Sequence, residues 1–378
     1  MPQSASKLRH IDTQQAAAGV ELISGADAIE RAAPAWGALE ECGGAPTAFQ
    51  SYEMARVSAR AHMARGEQIY VAVVREGERP MAILAAAVGR WLGVPTLRFL
   101  GDPFIQYGDA LKAPEATSDH VARAWHAIRD ARVASFAWLR KVRADAHLSQ
   151  ALTEGGTVIG ADAAPYIDLG KPAGKLGARK LRRSREKLAE HGEVVFGVSG
   201  GEAAKPWLDR ALQLKREWMA ARGLTNRVVG DPFWEGAFGA LTQQDGPMKL
   251  VAAHLSCGGK PVAIEIAFAF GNRWYSYLTA TEPDYAKYST GQLQIVDAIK
   301  HAQDAGFEVY DFLGPAYPHK TQFTDTQVGT NDFGIALDVT GFAGLYAAQM
   351  IPSVKARVLS LPPGLRRFIF RNAGNETA

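Results

Sequence analysis

Between Pro261 and Gly314 the chain spells a hairpin, a helix and a strand with little linker between them. In PVAIEIAFAF, Val262, Ile264, Ile266, Phe268 and Phe270 share one face, and Ala263, Glu265, Ala267 and Ala269 share the other, the period of a strand. Gly271-Asn272 gives a tight turn and RWYSYLTAT the returning strand. After the loop TEPDYAKYSTG, Leu293, Val296 and Ile299 recur at helical spacing until Gly306 stops the run. FEVYDFLG is the next strand, with Tyr317 and Lys320 just beyond. Strands alternating with a helix around a hairpin imply a mixed α/β sheet. A helix that opens on Ser289-Thr290-Gly291 also leaves free N–H groups at the end of the preceding strand, a place for an anion such as a pyrophosphate. An ordinary capped helix is the plainer alternative, because N-caps are common and anion sites few.

The first half carries the same order of elements. A strand at 20–24, a helix from Asp27 to Leu39 and a helix over 47–62 precede the strands QIYVAVV, MAILAAAV and TLRFLG. A helix over 120–131 and a strand over 135–142 close the unit. The second half repeats β-α-α-β-β-β-α-β without repeating residues, an internal structural repeat. The expected division is a tail at 1–19, a support domain at 20–160, a catalytic domain at 161–340 and a basic, apolar tail at 341–378, with the join in a loop over 153–164.

At 378 residues, 47% hydrophobic and 21% charged, the chain has ample core for two domains. A net charge of +3 does not mark a nucleic-acid protein. Cys42 and Cys257 have no metal spacing and suit a reducing compartment. No apolar leader and no 18-residue apolar run is visible, so a cytoplasmic protein is expected. The sequence holds no Ser-His-Asp order, no Cys/His metal cluster and no GxxxxGK[ST] loop.

Several groups could carry chemistry. Seven Lys/Arg fall between Lys175 and Lys187, where Leu181 and Leu188 could dock a helix by one thin stripe. Arg179 and Arg183 lie one turn apart and could clamp a phosphate, although charge runs are usually solvated faces. On the helix PWLDRALQLKREWMAARG, Lys215 and Arg222 share a face with Leu208, Leu212 and Met219, either snorkelling at its edge or entering a cleft; Trp218 stands beside them. Glu265, an acid among alanines, is expected to border open space and to take a proton from an amine, with a paired structural carboxylate as the alternative. Asp311 ends a strand at the same cleft, and Tyr317 and Lys320 sit in a loop, where binding residues concentrate. His254 reads as a structural histidine.

Taken together, AFQSYEMA, RFLGDPFIQYGD, APYIDL, LRRSREKL, LKREWMAARG, GGKPVAIEIAF, NRWYSYLTAT, PDYAKYSTGQL and AGFEVYDFLGPAYPHK resemble, in order and spacing, the GNAT-superfamily acetyltransferases of the CelD/BcsL-like group, relatives of the Fem peptidyltransferases. The resemblance spans about residues 48–325. It implies tandem GNAT-like domains and transfer of an acetyl group from acetyl-CoA to an amine of a sugar or polysaccharide precursor, for an exopolysaccharide or adhesin such as a holdfast. It places the cofactor at Tyr288, Ser289, Thr290, Gly291 and Gln292, where the group usually reads Ser-Pro-Gly. It makes Glu265 the base, Tyr317 an acid or positioner, Asp311 a further catalytic residue, Lys320 an anchor for an anionic substrate, and Lys215, Trp218, Arg222, Arg179 and Arg183 further substrate contacts, with no metal.

Two alternatives stay open. One is Fem-like transfer from a charged tRNA, which the scarcity of basic residues beyond 175–187 disfavours. The other is a non-catalytic cyclic di-GMP effector using Arg179 and Arg183. The tail at 341–378 interleaves Lys355, Arg357, Arg366, Arg367 and Arg371 with Leu359, Leu365, Phe368, Ile369 and Phe370. Such a tail suits an anionic membrane surface or membrane-bound synthesis machinery; packing on the second domain is the alternative, and Pro362-Pro363 is expected to divide it into two short segments.

Overall fold

The computed structural model describes residues 19–171 and 178–359, without the side chains of 178–179 and 352–359. Contacts divide the chain into two units, one running to Ala161 and including Asn331–Ala356, the other containing Asp162–Thr330.

The first unit begins with β1 (Val20–Ser24), α1 (Ala28–Glu41), α2 (Tyr52–Ala64), β2 (Gln68–Glu76), β3 (Arg79–Trp91) and β4 (Val94–Phe99). The short β5 (Leu111–Lys112), α3 (Ser118–Asp130), β6 (Phe136–Arg143) and α4 (Ser149–Gly155) follow. Its sheet runs β1-β2-β3-β4-β6, antiparallel except for the parallel β4–β6 pair. Ile23, Trp36, Leu39, Val71, Val73 and Ile83 form its centre.

Next come β7 (Thr157–Asp168), α5 (Ala178–Ala189), β8 (Val194–Gly200), α6 (Lys205–Arg222), α7 (Pro232–Leu241), β9 (Lys249–Cys257), β10 (Lys260–Phe270) and β11 (Arg273–Thr281). The chain continues through α8 (Thr290–Asp304), β12 (Val309–Asp311), α9 (Pro318–Thr321), β13 (Gln327–Ala336) and α10 (Gly341–Leu359). The second unit's sheet runs β8-β9-β10-β11-β12, and again only the last pair is parallel. The two sheets therefore share connectivity and strand direction, but β8, and not the expected strand at 164–169, takes the place that β1 holds in the first unit. The fold is mixed α/β, with two units of like sheet topology in tandem.

Local chemistry sets the boundaries. The Ser51 hydroxyl accepts the Met54 N–H at the start of α2, satisfying an orphan donor. Pro206 lies in the first turn of α6, and Gly223 ends that helix at φ +61°, donating to the Ala220 carbonyl. Gly271 turns the β10–β11 hairpin at φ +55°.

Three expectations need correction. Residues 153–164 are not a loop, because α4 and β7 occupy them. Strand β8 was not foreseen; its Val194 and Phe196 pack on Leu188 and Leu255. Residues 341–378 are not wholly a separate tail. α10 lays Leu345, Ala348 and Ile351 against Phe136 and Trp138 of the first unit, not the second, a contact that removes apolar area from water. The residues beyond 359, including Pro362-Pro363 and most of the tail's basic residues, lie outside the described residues. Among the described residues no helix is long and apolar enough to cross a membrane.

Candidate active site

Strand β11 follows β10 along its whole length but pairs with β12 only from Arg273 to Tyr275. Its register slips where Ser276 faces Ala267 and Leu278 faces Ile266, so Tyr277 is an extra residue. A bulge bends its strand and increases the local twist. It stands just where the parallel pairing ends: β12 stops at Asp311, while β11 runs on to Thr281. Beyond Tyr275 this edge of β11 has no strand partner among the described residues, and that unpaired edge is the candidate cleft.

Glu265 does not border that cleft, contrary to expectation. It is fully buried. Its carboxylate accepts from Trp274 Nε1 at 2.8 Å, Gln294 Nε2 at 3.2 Å and Tyr310 Oη at 2.7 Å. Burial raises its pKa, against the lowering effect of these donors and of Ser276. The alternation predicted for β10 is present, with Glu265 on the alanine face. The alanines beside Glu265 leave room for α8, whose Ile295, Ala298 and Ile299 pack with Ala267, rather than for a substrate. A carboxylate enclosed by its own donors has no line to an amine, so Glu265 is a structural acceptor.

Asp311 is also fully buried and committed. Its Oδ2 lies 3.1 Å from Arg273 Nη1, and its Oδ1 accepts the Leu313 N–H at 2.8 Å. Leu313 has φ +59°, a left-handed conformation rare for a branched residue, and Asp311 holds that turn. It is a positioning residue.

Lys320 holds the same turn from the other side. Its Nζ donates to the Leu313 carbonyl at 2.9 Å and to the Gly314 carbonyl at 3.3 Å. Burial lowers its pKa to about 8, with Asp311 and Asp162 opposing and Lys215 reinforcing the shift. Burial also lowers Lys215. Lys215 Nζ lies 4.9 Å from the Trp218 ring, and the Arg222 guanidinium 4.4 Å from the same ring. Trp218 is exposed between the two cations, a cation–π arrangement. Tyr317, half exposed, stacks on His319 at 5.7 Å. Burial, then Lys320 and Lys215, lower His319. Lys215, Trp218, Arg222, Tyr317 and Lys320 therefore belong to one region of the second unit. His319 and Arg273 were missed; a histidine directly before Lys320 was the available signal for the first.

The cofactor residues lie at the start of α8. Ser289 caps it at φ +56°, and its carbonyl accepts from Gln292 and Leu293. Thr290 is buried. Gln292 Nε2 donates to Gln322 Oε1 at 2.7 Å. Helix α5 covers this corner through Leu181 and Leu188, which join Leu293, and through an Arg185–Asp297 ion pair. Between α5 and the chain entering α8 is a cavity of about 550 Å³ lined by Lys180, Arg183, Ser184, Lys187, Lys287 and Tyr288. Tyr288 Oη lies 2.5 Å from His191 Nε2. Arg183 thus faces the cavity, while the Arg179 side chain lies outside the described residues. Four cations beside a helix N-terminus suit a phosphate-bearing ligand. No cluster of metal-ligating side chains exists among the described residues. Ser289→Gly should relieve the left-handed backbone and stabilise the protein by about 1 kcal/mol, read as a higher urea midpoint; an unchanged or lower midpoint would show that the serine is not strained.

The sequence over residues 177–321 matches the family model described as "Acetyltransferase (GNAT) domain". Residues 177–321 are a GNAT acetyltransferase domain. Acyl transfer is the activity class of such a domain, and the cavity and the cleft both fall on residues of the GNAT segment and its immediate flanks. Among solved structures, the chain is similar to "L-PGS from Bacillus licheniformis", at 12% identity and TM-score 0.56, covering 84% of this chain and 96% of that one. The structure described as "C-terminal Domain (DUF2156) of Putative Lysylphosphatidylglycerol Synthetase from Agrobacterium fabrum" matches at 15% identity and TM-score 0.54, over 84% of this chain and 96% of that one. FemX matches at 10% identity and TM-score 0.54, over 80% and 95%. At these identities the likeness is one of fold. No match was found among the curated proteins.

Proposed function

We propose that the protein is an N-acetyltransferase that moves an acetyl group from acetyl-CoA to an amino group of a sugar or polysaccharide precursor. The observation that carries this reading is the basic cavity at the N-terminus of α8, on the same strand–loop–helix unit as the opening between β11 and β12. Lys180, Arg183, Lys187 and Lys287 receive the phosphates of coenzyme A, and the cleft receives its acyl end. The acceptor amine attacks the thioester carbonyl, the carbon–sulfur bond breaks, and the thiolate takes a proton. Tyr317 is the group we assign to supply that proton. Glu265 is excluded as the base by its burial, so the amine gives its proton to water in the open cleft. The resemblance to the CelD/BcsL-like group supports an exopolysaccharide or adhesin precursor, a holdfast polysaccharide among them, handled in the cytoplasm. It also leaves a membrane-surface role for the basic residues near the C-terminus as part of the proposal.

Calorimetry with acetyl-CoA, cyclic di-GMP and charged tRNA tests this reading. Acetyl-CoA is expected to bind, and Arg183→Glu with Lys187→Glu to weaken it at least tenfold, because two phosphate partners are reversed in sign. Charge reversal is cleaner than a change at Gly291, where even a Cβ would meet Thr281 Cγ2 at 3.0 Å. The cyclic dinucleotide is a second reading with an observation of its own, since Arg183 lines the cavity. Binding of cyclic di-GMP without acetyl-CoA would replace the enzymatic reading by an effector one.

A further inference from the structure

The region of the second unit that holds Lys215, Trp218 and Lys320 has more positive charge than its own carboxylates answer. Lys215 reaches in from α6, half buried, with no carboxylate partner among the described residues. It lies close enough to Lys320 and His319 to disfavour the charged form of both. Lys320 Nζ has three N–H groups. Two donate to the Leu313 and Gly314 carbonyls, and the third has no acceptor among the described residues. The nearby acids are engaged. Asp311 pairs with Arg273 and caps Leu313, and Asp162 Oδ1 accepts the N–H groups of Ala163 and Ala316. Arg222 adds a further cation on the outer side of Trp218.

Holding two lysines together in a half-buried place is unfavourable unless a counter-charge arrives. We propose that the acceptor carries an anionic group, a carboxylate or a phosphate, which seats between Lys215 and Lys320 while the exposed Trp218 ring forms an adjoining flat wall. The anion takes the third Lys320 N–H and supplies Lys215 with its missing partner. The indole offers an apolar face to the C–H side of a sugar ring. Neutral amino sugars lack the first of these contacts and are poor acceptors. This inference rests on the acyl-transfer reading for the word acceptor, but the subsite itself is defined by binding alone.

The test is calorimetry with glucosamine 6-phosphate, the aminouronic acid 2-amino-2-deoxyglucuronate and neutral glucosamine, on wild-type protein and on Lys215→Met. The two anionic sugars are expected to bind at least tenfold more tightly than glucosamine, and Lys215→Met to abolish the difference. Methionine keeps the length of the lysine stem without its buried charge, so the fold is retained. Lys215→Arg is expected to restore much of the preference. Equal affinity for charged and neutral sugars, a preference that survives in Lys215→Met, or no binding of any of the three would overturn the subsite. Titration of acetyl-CoA into the same samples separates the two ideas. Its failure with the anion preference intact sinks the transferase assignment alone.

Discussion

Lys320→Met is expected to lower kcat/KM for an amine acceptor about a hundredfold or more. The substitution removes a half-buried charge together with its bonds to the Leu313 and Gly314 carbonyls, and hydrogen bonds made by a charged group are worth about 1.5–3 kcal/mol each. The turn itself is still held by Asp311 through the Leu313 N–H, so the protein should fold. The pH dependence carries the sign. The folded-state pKa, about 8, lies below the ordinary 10.5, so the ammonium is lost as pH rises through about 8. Binding that needs the charged form therefore weakens above that point, and the alkaline limb of kcat/KM should vanish in Lys320→Met. In stability the same shift works the other way. The charged lysine weighs against the fold at neutral pH, and this cost is relieved between about pH 8 and 10.5. A variant within threefold of wild type would remove Lys320 from the site.

Glu265→Ala should cost about 3 kcal/mol of stability, because Trp274, Gln294 and Tyr310 would lose a shared buried acceptor. Glu265→Gln should cost less, since its carbonyl oxygen still accepts. Turnover per folded molecule should stay within about threefold in the glutamine variant, whereas loss of a general base typically costs a hundredfold or more. Urea denaturation and active-site-normalised rates check both. The raised folded pKa of Glu265 means the fold holds its proton more tightly than the unfolded chain does. Stability from this group is full below its ordinary pKa of 4.5 and declines as pH rises through the folded value. Glu265→Gln should flatten that decline. A hundredfold fall in turnover with unchanged stability would return Glu265 to catalysis.

Much of the architecture was legible because it depends on periodicity. Alternation in β10, the turn at Gly271-Asn272 and the Leu293–Ile299 stripe each encode an element locally, and the repeated order of elements is a count of such signals. The role of Glu265 was not legible, because small neighbours mean space and only the third dimension shows what fills it. Here α8 does. The state of Lys215 was equally hidden. Its position on the apolar face of α6 allows snorkelling or a cleft, and its neighbour Lys320 lies more than a hundred positions along the chain. Thin-stripe docking of α5 by Leu181 and Leu188 was readable. That it roofs a cavity with Lys287 and Tyr288 was not, because those residues belong to a different segment. In residues 341–378 the helical signal lies in the spacing of Leu345, Ala348 and Ile351, which the more conspicuous basic residues mask.

The extra residue at Tyr277 makes the width of the cleft a matter of counting. Without it, Ser276 and Leu278 would be neighbours, still facing Ala267 and Ile266, and β11 would alternate regularly along its whole length. The strand would lose its reason to veer, and its parallel partnership with β12 could zip onward past Tyr275. The entrance would then close by backbone pairing, with every side chain of the site still present in the sequence. Substitution can tune what this opening accepts, but a one-residue deletion decides whether there is an opening at all.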